Sequence, residues 1–148
     1  MEIRRLRKAE ESAAMELVWR VFRRFEAPEY GPEGIRTFQT YIMDPAAVSA
    51  LMIYGAFDKD AVIGILAIRA DAHISLFFVD PAWYRKGVGK ALFCRFLTDS
   101  GVVRVTVNAS PYAVGVYRRL GFCATAPEQI TDGIRYTPML YDRTEKGG

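Results

Sequence analysis

The chain has 148 residues, 51% of them hydrophobic, and 20 Lys and Arg against 17 Asp and Glu, for a net charge of +3. That length suits one domain, residues 1–148, with one substantial core, and the hydrophobic share excludes a disordered chain. The mild positive charge does not demand a nucleic-acid partner, and it would not repel an anionic ligand.

No apolar run reaches the roughly 18 residues a membrane span needs. The opening MEIRRLRKAEES lacks the apolar segment of a secretory signal, so a cytoplasmic protein is expected. Cys94 and Cys123 are too few for a disulfide scaffold and are expected as reduced, buried thiols. The single histidine has no partner at metal-ligand spacing, and no metal is expected.

Residues 2–6 read as a short strand. From 9 to 25, Ala14, Leu17, Val18, Val21, Phe22 and Phe25 recur at helical spacing, and Pro28 ends the helix. A second helix opens at Pro32, carries Ile35, Phe38 and Ile42 on one side, and stops before Asp44-Pro45. Residues 50–57, 61–69 and 74–79 are rich in β-branched and aromatic side chains and read as strands, the first two joined by a turn at 58–60. A helix follows the glycines at 87 and 89, buries Val88, Ala91, Leu92, Phe96 and Leu97, and ends near Gly101. Residues 102–107 form another strand. Ser110 and Pro111 suit the N-cap and first position of a helix that ends at Gly121. Two last strands are expected, from 122 onward and over 134–141. The order is β-α-α-β-β-β-α-β-α-β-β. Hairpins join the early strands, and helical crossovers imply parallel pairing of the later ones. The expected class is α/β (α+β), a mixed sheet flanked by helices.

The stretch VDPAWYRKGVGKAL puts Gly87 and Gly89 among Arg85, Lys86 and Lys90 where a helix begins. A glycine in a helix costs about 1 kcal/mol relative to alanine, so a compensating reason is expected. Unpaired amides at a helix N-terminus, a missing Cβ and nearby cations together describe a cradle for a pyrophosphate. The same glycines would also serve a tight strand-to-helix turn with solvated basic neighbours, and spacing alone leaves both readings open. A P-loop would need Ser or Thr at 91, which is Ala91; a dinucleotide fingerprint would need glycine at 92, which is Leu92.

This stretch resembles the coenzyme A-binding motif of the GNAT superfamily of N-acetyltransferases, with Gly87 and Gly89 at its two small-residue positions. Tyr84 departs from it, standing where Gln or Arg is usual, and Arg85 stands where many members have another glycine. A second segment, VNASPYAVGVYRRLGF, resembles the family's later motif of strand, Asn, helix, Tyr and Leu-Gly-Phe. The order of elements along the whole chain is also similar.

The resemblance implies a centrally splayed sheet and direct acetyl transfer from acetyl-CoA to an amine in a ternary complex. Pantetheine would lie between strand 74–79 and strand 102–107, pairing with backbone of Phe77, Phe78 and Val79. Arg85, Lys86, Gly87, Val88, Gly89 and Lys90 would hold the pyrophosphate, and a strand amide would stabilise the oxyanion. Tyr117 matches the general acid that protonates the leaving thiolate; by its spacing alone it could be one more buried aromatic. Asn108 either binds the pantetheine arm or caps the following turn. His73 has a suitable pKa for a general base, although read by itself it is more simply a surface or turn histidine. Glu26 and Glu29 lie where relatives bind the acceptor. The expected partners are acetyl-CoA and an amine of unread identity, without nucleic acid or membrane, and a homodimer is left open. A non-catalytic acyl-CoA sensor is the competing reading.

Overall fold

The computed structural model describes residues 1–144. Its strands are β1 (Glu2–Arg5), β2 (Met52–Asp58), β3 (Ala61–Ile68), β4 (His73–Val79), β5 (Arg104–Ala109), β6 (Cys123–Ala124), β7 (Gln129–Thr131) and β8 (Ile134–Asp142). The α-helices are α1 (Glu11–Phe25), α2 (Pro32–Ile42), α3 (Pro45–Ser49), α4 (Val88–Ser100) and α5 (Val114–Leu120). The sheet runs β1-β2-β3-β4-β5-β8-β6, and β7 pairs with β8. Among the described residues no helix is long and apolar enough to cross a membrane.

Central strands alternate between two buried faces. Ile65 and Ala67 pack with Leu17, Val18 and Phe22 of α1, while Leu66 and Ile68 pack with Leu92, Phe93 and Phe96 of α4. Helices α1 to α3 therefore cover one face and α4 and α5 the other, giving three layers. Phe22 of α1 stacks on Phe38 of α2 at a centroid distance of 3.9 Å, which seals the first face.

The expected order of elements holds with local corrections. Residues 50–51 do not begin a strand; Asp44 accepts from the amides of Ala46 and Ala47 and caps the short α3 instead. Of the later strands only β4 and β5 pair in parallel. The crossover from β5 through α5 to β6 skips a position, because β8 inserts antiparallel between them. The segment after Phe122 splits into β6 and β7. Cys94 and Cys123 are free thiols but exposed, not buried. Cys94 falls outside the stripe of Leu92, Phe93, Phe96 and Leu97, and Cys123 lies on the last strand of the sheet.

Two irregularities shape the centre of the sheet. Strand β4 pairs with β5 only at His73↔Thr106 and Ile74↔Val107. Against β3, the register jumps from Ala67↔Leu76 to Ile68↔Ile74, so Ser75 is an extra residue. A bulge bends its strand and raises the local twist. It also turns Ile74 and Leu76, two residues apart, into opposite cores. The strands part immediately after this bulge, and the sheet opens as a fork.

Candidate active site

The loop leaving β4 is held by Asp80. Its amide donates to the carbonyl of Ile63, and its carboxylate accepts from the amide of Ala82 and from Arg20. Pro81–Trp83 form one 3-10 turn. Arg85 and Gly87 then adopt left-handed backbone, with φ of 64° and 77°. A left-handed conformation is costly for any residue with a Cβ, which gives a physical reason for the glycine that many GNAT members carry at position 85.

Helix α4 begins without a side-chain cap. Its first inward amide bond runs from Ala91 to the Gly87 carbonyl, so the amides of Val88, Gly89 and Lys90 face outward from the helix end. A Cβ on Gly89 would make only ordinary contact with the Phe77 ring, at 3.5 Å, and with Val79. The fold itself leaves room for a side chain there. A Cβ on Gly87 would meet nothing within 4 Å, so that glycine is present for its φ. The two glycines thus have different causes.

The fork and the helix start open into one cavity of about 460 Å³. Phe77, Phe78 and Val79 line it from β4; Arg85, Gly87, Val88, Gly89 and Lys90 from the loop and α4; Tyr117 from α5. These nine residues, all singled out in the sequence, therefore meet at one place, and Glu26 joins them. Lys86 does not line it; its ammonium lies 5.3 Å from the centroid of the Trp83 ring. Asn108 sits exposed within β5 opposite Pro138, because the strand expected to end at 107 runs on to Ala109. His73 lies at the closed end of the fork, where Nδ1 is 2.8 Å from the Thr106 hydroxyl oxygen. Burial and then Arg69 lower its pKa, so it is held neutral. The strand direction carries it away from the cavity.

Arg119, Trp83 and Tyr112 also line the cavity and were not singled out from the sequence. Arg119 adds a cation to Arg85 and Lys90; its signal was the basic pair before Leu120-Gly121-Phe122. Tyr84 and Tyr112 flank Phe25, with centroids 5.7 and 5.4 Å from its ring, and build an aromatic rim. Tyr84 is therefore a wall residue here rather than the polar residue usual at that point.

Tyr117 is 5% exposed and makes no side-chain hydrogen bond among the described residues. Burial first, then the charge of Glu26, raises its pKa, so the phenol keeps its proton at neutral pH. Glu26 lines the same cavity. Desolvation pushes its carboxyl up to about 7 against a weaker opposing pull from the Ser110 hydroxyl. Glu29 points elsewhere, toward Arg135, which also holds Glu128.

The GNAT acetyltransferase domain model matches residues 26–143. This chain belongs to the GNAT acetyltransferase family. The peptidyl-lysine N-acetyltransferase YjaB of Salmonella typhimurium is 30% identical over 84 residues, which cover 56% of this chain and 57% of that protein. The chain thus aligns with little more than half the length of this relative. A GCN5-related N-acetyltransferase from Rhodopseudomonas palustris shares the fold with a TM-score of 0.80 at 18% identity, over 95% of this chain and 94% of that one. The PaiA N-acetyltransferase of Thermoplasma acidophilum, solved in complex with coenzyme A, has a TM-score of 0.75 at 19% identity, over 95% and 98%. In this chain the mixed sheet parts at the β4–β5 junction, the parallel one among the described strands.

Proposed function

We propose that this GNAT protein is an N-acetyltransferase that moves an acetyl group from acetyl-CoA to a primary amine by direct transfer in a ternary complex. The observation that carries this reading is the meeting, in one cavity, of an uncapped helix start, an open strand edge and a buried phenol.

Each part supplies one element of the chemistry. The outward amides of Val88, Gly89 and Lys90, with Arg85, Lys90 and Arg119 beside them, suit a pyrophosphate. Beyond Ile74 the β5-facing edge of β4 has no strand partner among the described residues, so backbone of Phe77 to Val79 can pair with the amide-bearing pantetheine arm. A β4 amide pointing into the fork would stabilise the oxyanion of the tetrahedral intermediate, a role worth about 3 kcal/mol where measured. Tyr117 would donate its proton to the departing thiolate.

The name of the Salmonella relative supports a lysine side chain as the acceptor. A lysine arm is long and unbranched, which suits entry past the aromatic rim. The test is an acceptor panel of peptide lysines, peptide N-termini, polyamines and aminoglycosides, scored by thiol release from acetyl-CoA. Release with lysine peptides is expected. Tight acetyl-CoA binding with no thiol release on any amine would instead identify a sensor.

A further inference from the structure

We infer that Glu26 is the residue that takes the proton from the acceptor ammonium before attack. The inference rests on the N-acetyltransferase reading above and adds to it the group that reading leaves unassigned.

Position is the first reason. An amine must lose a proton to attack a thioester carbonyl, and the base must stand on the acceptor side, opposite the group that protonates sulfur. Glu26 follows the last residue of α1 and faces the cavity from the α1 to α3 side of the sheet, while Tyr117 faces it from α5 on the other. The fork between β4 and β5 lies between them, which is where the thioester would be presented.

The neighbourhood is the second. The groups that face Glu26 are hydroxyls: Tyr30 from the segment behind α1, Tyr84 from the turn before α4, Ser110 from the end of β5 and Tyr117 from α5. Arg85, Lys90 and Arg119 line the same cavity but form no ion pair with Glu26; outside it, Arg135 holds Glu29 and Glu128, and Arg24 lies over the Phe25 ring. Glu26 makes no ion pair among the described residues. A cavity carboxylate beside an aromatic rim, with no ion-pair partner among the described residues, is complementary to an incoming alkylammonium.

The third is proton balance. The ammonium gives one proton to the Glu26 carboxylate and becomes the amine. The nitrogen lone pair forms the C–N bond, the C–S bond breaks, and the thiolate takes the Tyr117 proton. The nitrogen loses its second proton as the amide forms, which restores Tyr117. The proton on Glu26 leaves to water, so each turnover releases one proton together with free coenzyme A. The two groups are also coupled. The Glu26 charge holds the Tyr117 proton on, and neutralising Glu26 removes that hold before sulfur leaves. The raised carboxyl pKa fits the duty, because a base near 7 keeps proton affinity yet is half ionised at neutral pH.

The test uses the full chain loaded with acetyl-CoA or with coenzyme A, and Nα-acetyl-lysine methylamide as the probe amine. Calorimetry should give equal coenzyme A affinity for the wild type and E26Q. In protein carrying carboxyl-labelled glutamate, one resonance absent from E26Q should titrate near 7. The kcat/KM of the wild type should rise with pH through the same value. E26Q should lose that limb, with a rate at pH 8 down roughly 100-fold or more. A Glu26 carboxyl that titrates near 4.5, or an E26Q enzyme with wild-type rate and limb, overturns the assignment while leaving the acetyltransferase reading in place. The titration decides even where the probe amine is a poor acceptor. Failure of the wild type to bind coenzyme A sinks both readings.

Discussion

Gly34 of α2 and Gly133 of the β7–β8 hairpin touch backbone to backbone. A Cβ on Gly34 would collide with the Gly133 carbonyl, and a Cβ on Gly133 would collide with the Gly34 amide. The hairpin turn at Asp132-Gly133 has positive φ at both residues, 52° and 80°, the geometry that Asp-Gly favours in a two-residue turn. The Thr37 hydroxyl donates to the Asp132 carbonyl, and Arg135 donates to Glu29 behind α1. These contacts clamp the C-terminal hairpin over the segment that carries Glu26. G34A is therefore expected to push the hairpin outward and lower stability by about 1–3 kcal/mol. Coenzyme A affinity should hold, because the helix start that faces it is on the opposite side of the fork. Urea unfolding and calorimetry on the same variant check both halves.

Gly87 and Gly89 should separate cleanly. G87A places a side chain in left-handed backbone and should cost about 1–2 kcal/mol of stability. G89A meets only ordinary contacts within the protein, and alanine is favoured in a helix by about 1 kcal/mol. Its stability should be unchanged or slightly higher, while coenzyme A affinity falls at least tenfold. If G89A binds as the wild type does, no ligand backbone or phosphate approaches that amide.

Tyr117 is buried in the cavity wall and makes no side-chain hydrogen bond among the described residues. Y117F should fold, bind coenzyme A with wild-type affinity and lose roughly 100-fold or more in kcat on a working amine. An unchanged kcat would move the acid to another group. H73Q serves as the contrast: it trades one bond to Thr106 for another polar side chain outside the cavity. Its pH–rate profile should overlay that of the wild type.

Much of this architecture was legible because its signals are local or periodic. Leu17, Val18, Val21 and Phe22 announced the buried face of α1 by spacing alone, and the stretches around Gly87 and Tyr117 carried the family. What was hidden depends on pairing or packing. Ser75 sits in an unbroken strand-like run, and only its mismatch with β3 makes it a bulge and opens the fork. Helix α3 is too short for periodicity, although Asp44-Pro45 was a helix-start signal. Asp132-Gly133 was a turn signal that the strand reading passed over. The separation of Glu26 from Glu29 was invisible in principle: two loop carboxylates three positions apart differ only in what the fold places around them.

That difference makes Glu26 a determinant of stability as well as of rate. Its carboxyl titrates at about 7 in the folded chain against an ordinary value of 4.5. The folded state therefore binds the proton more tightly than the unfolded chain does. Below about 4.5 both states are protonated and the group costs nothing; as pH rises through 4.5 to 7 the unfolded chain ionises first, and stability falls. The full effect is at most about 3 kcal/mol. E26Q removes this dependence, so it should be less pH-sensitive than the wild type between 4.5 and 7 and more stable than it at pH 8. Parallel thermal melts at pH 5, 6, 7 and 8 measure the difference. If the two melting curves shift together over that range, the Glu26 carboxyl is solvated and its place in the cavity wall is wrong.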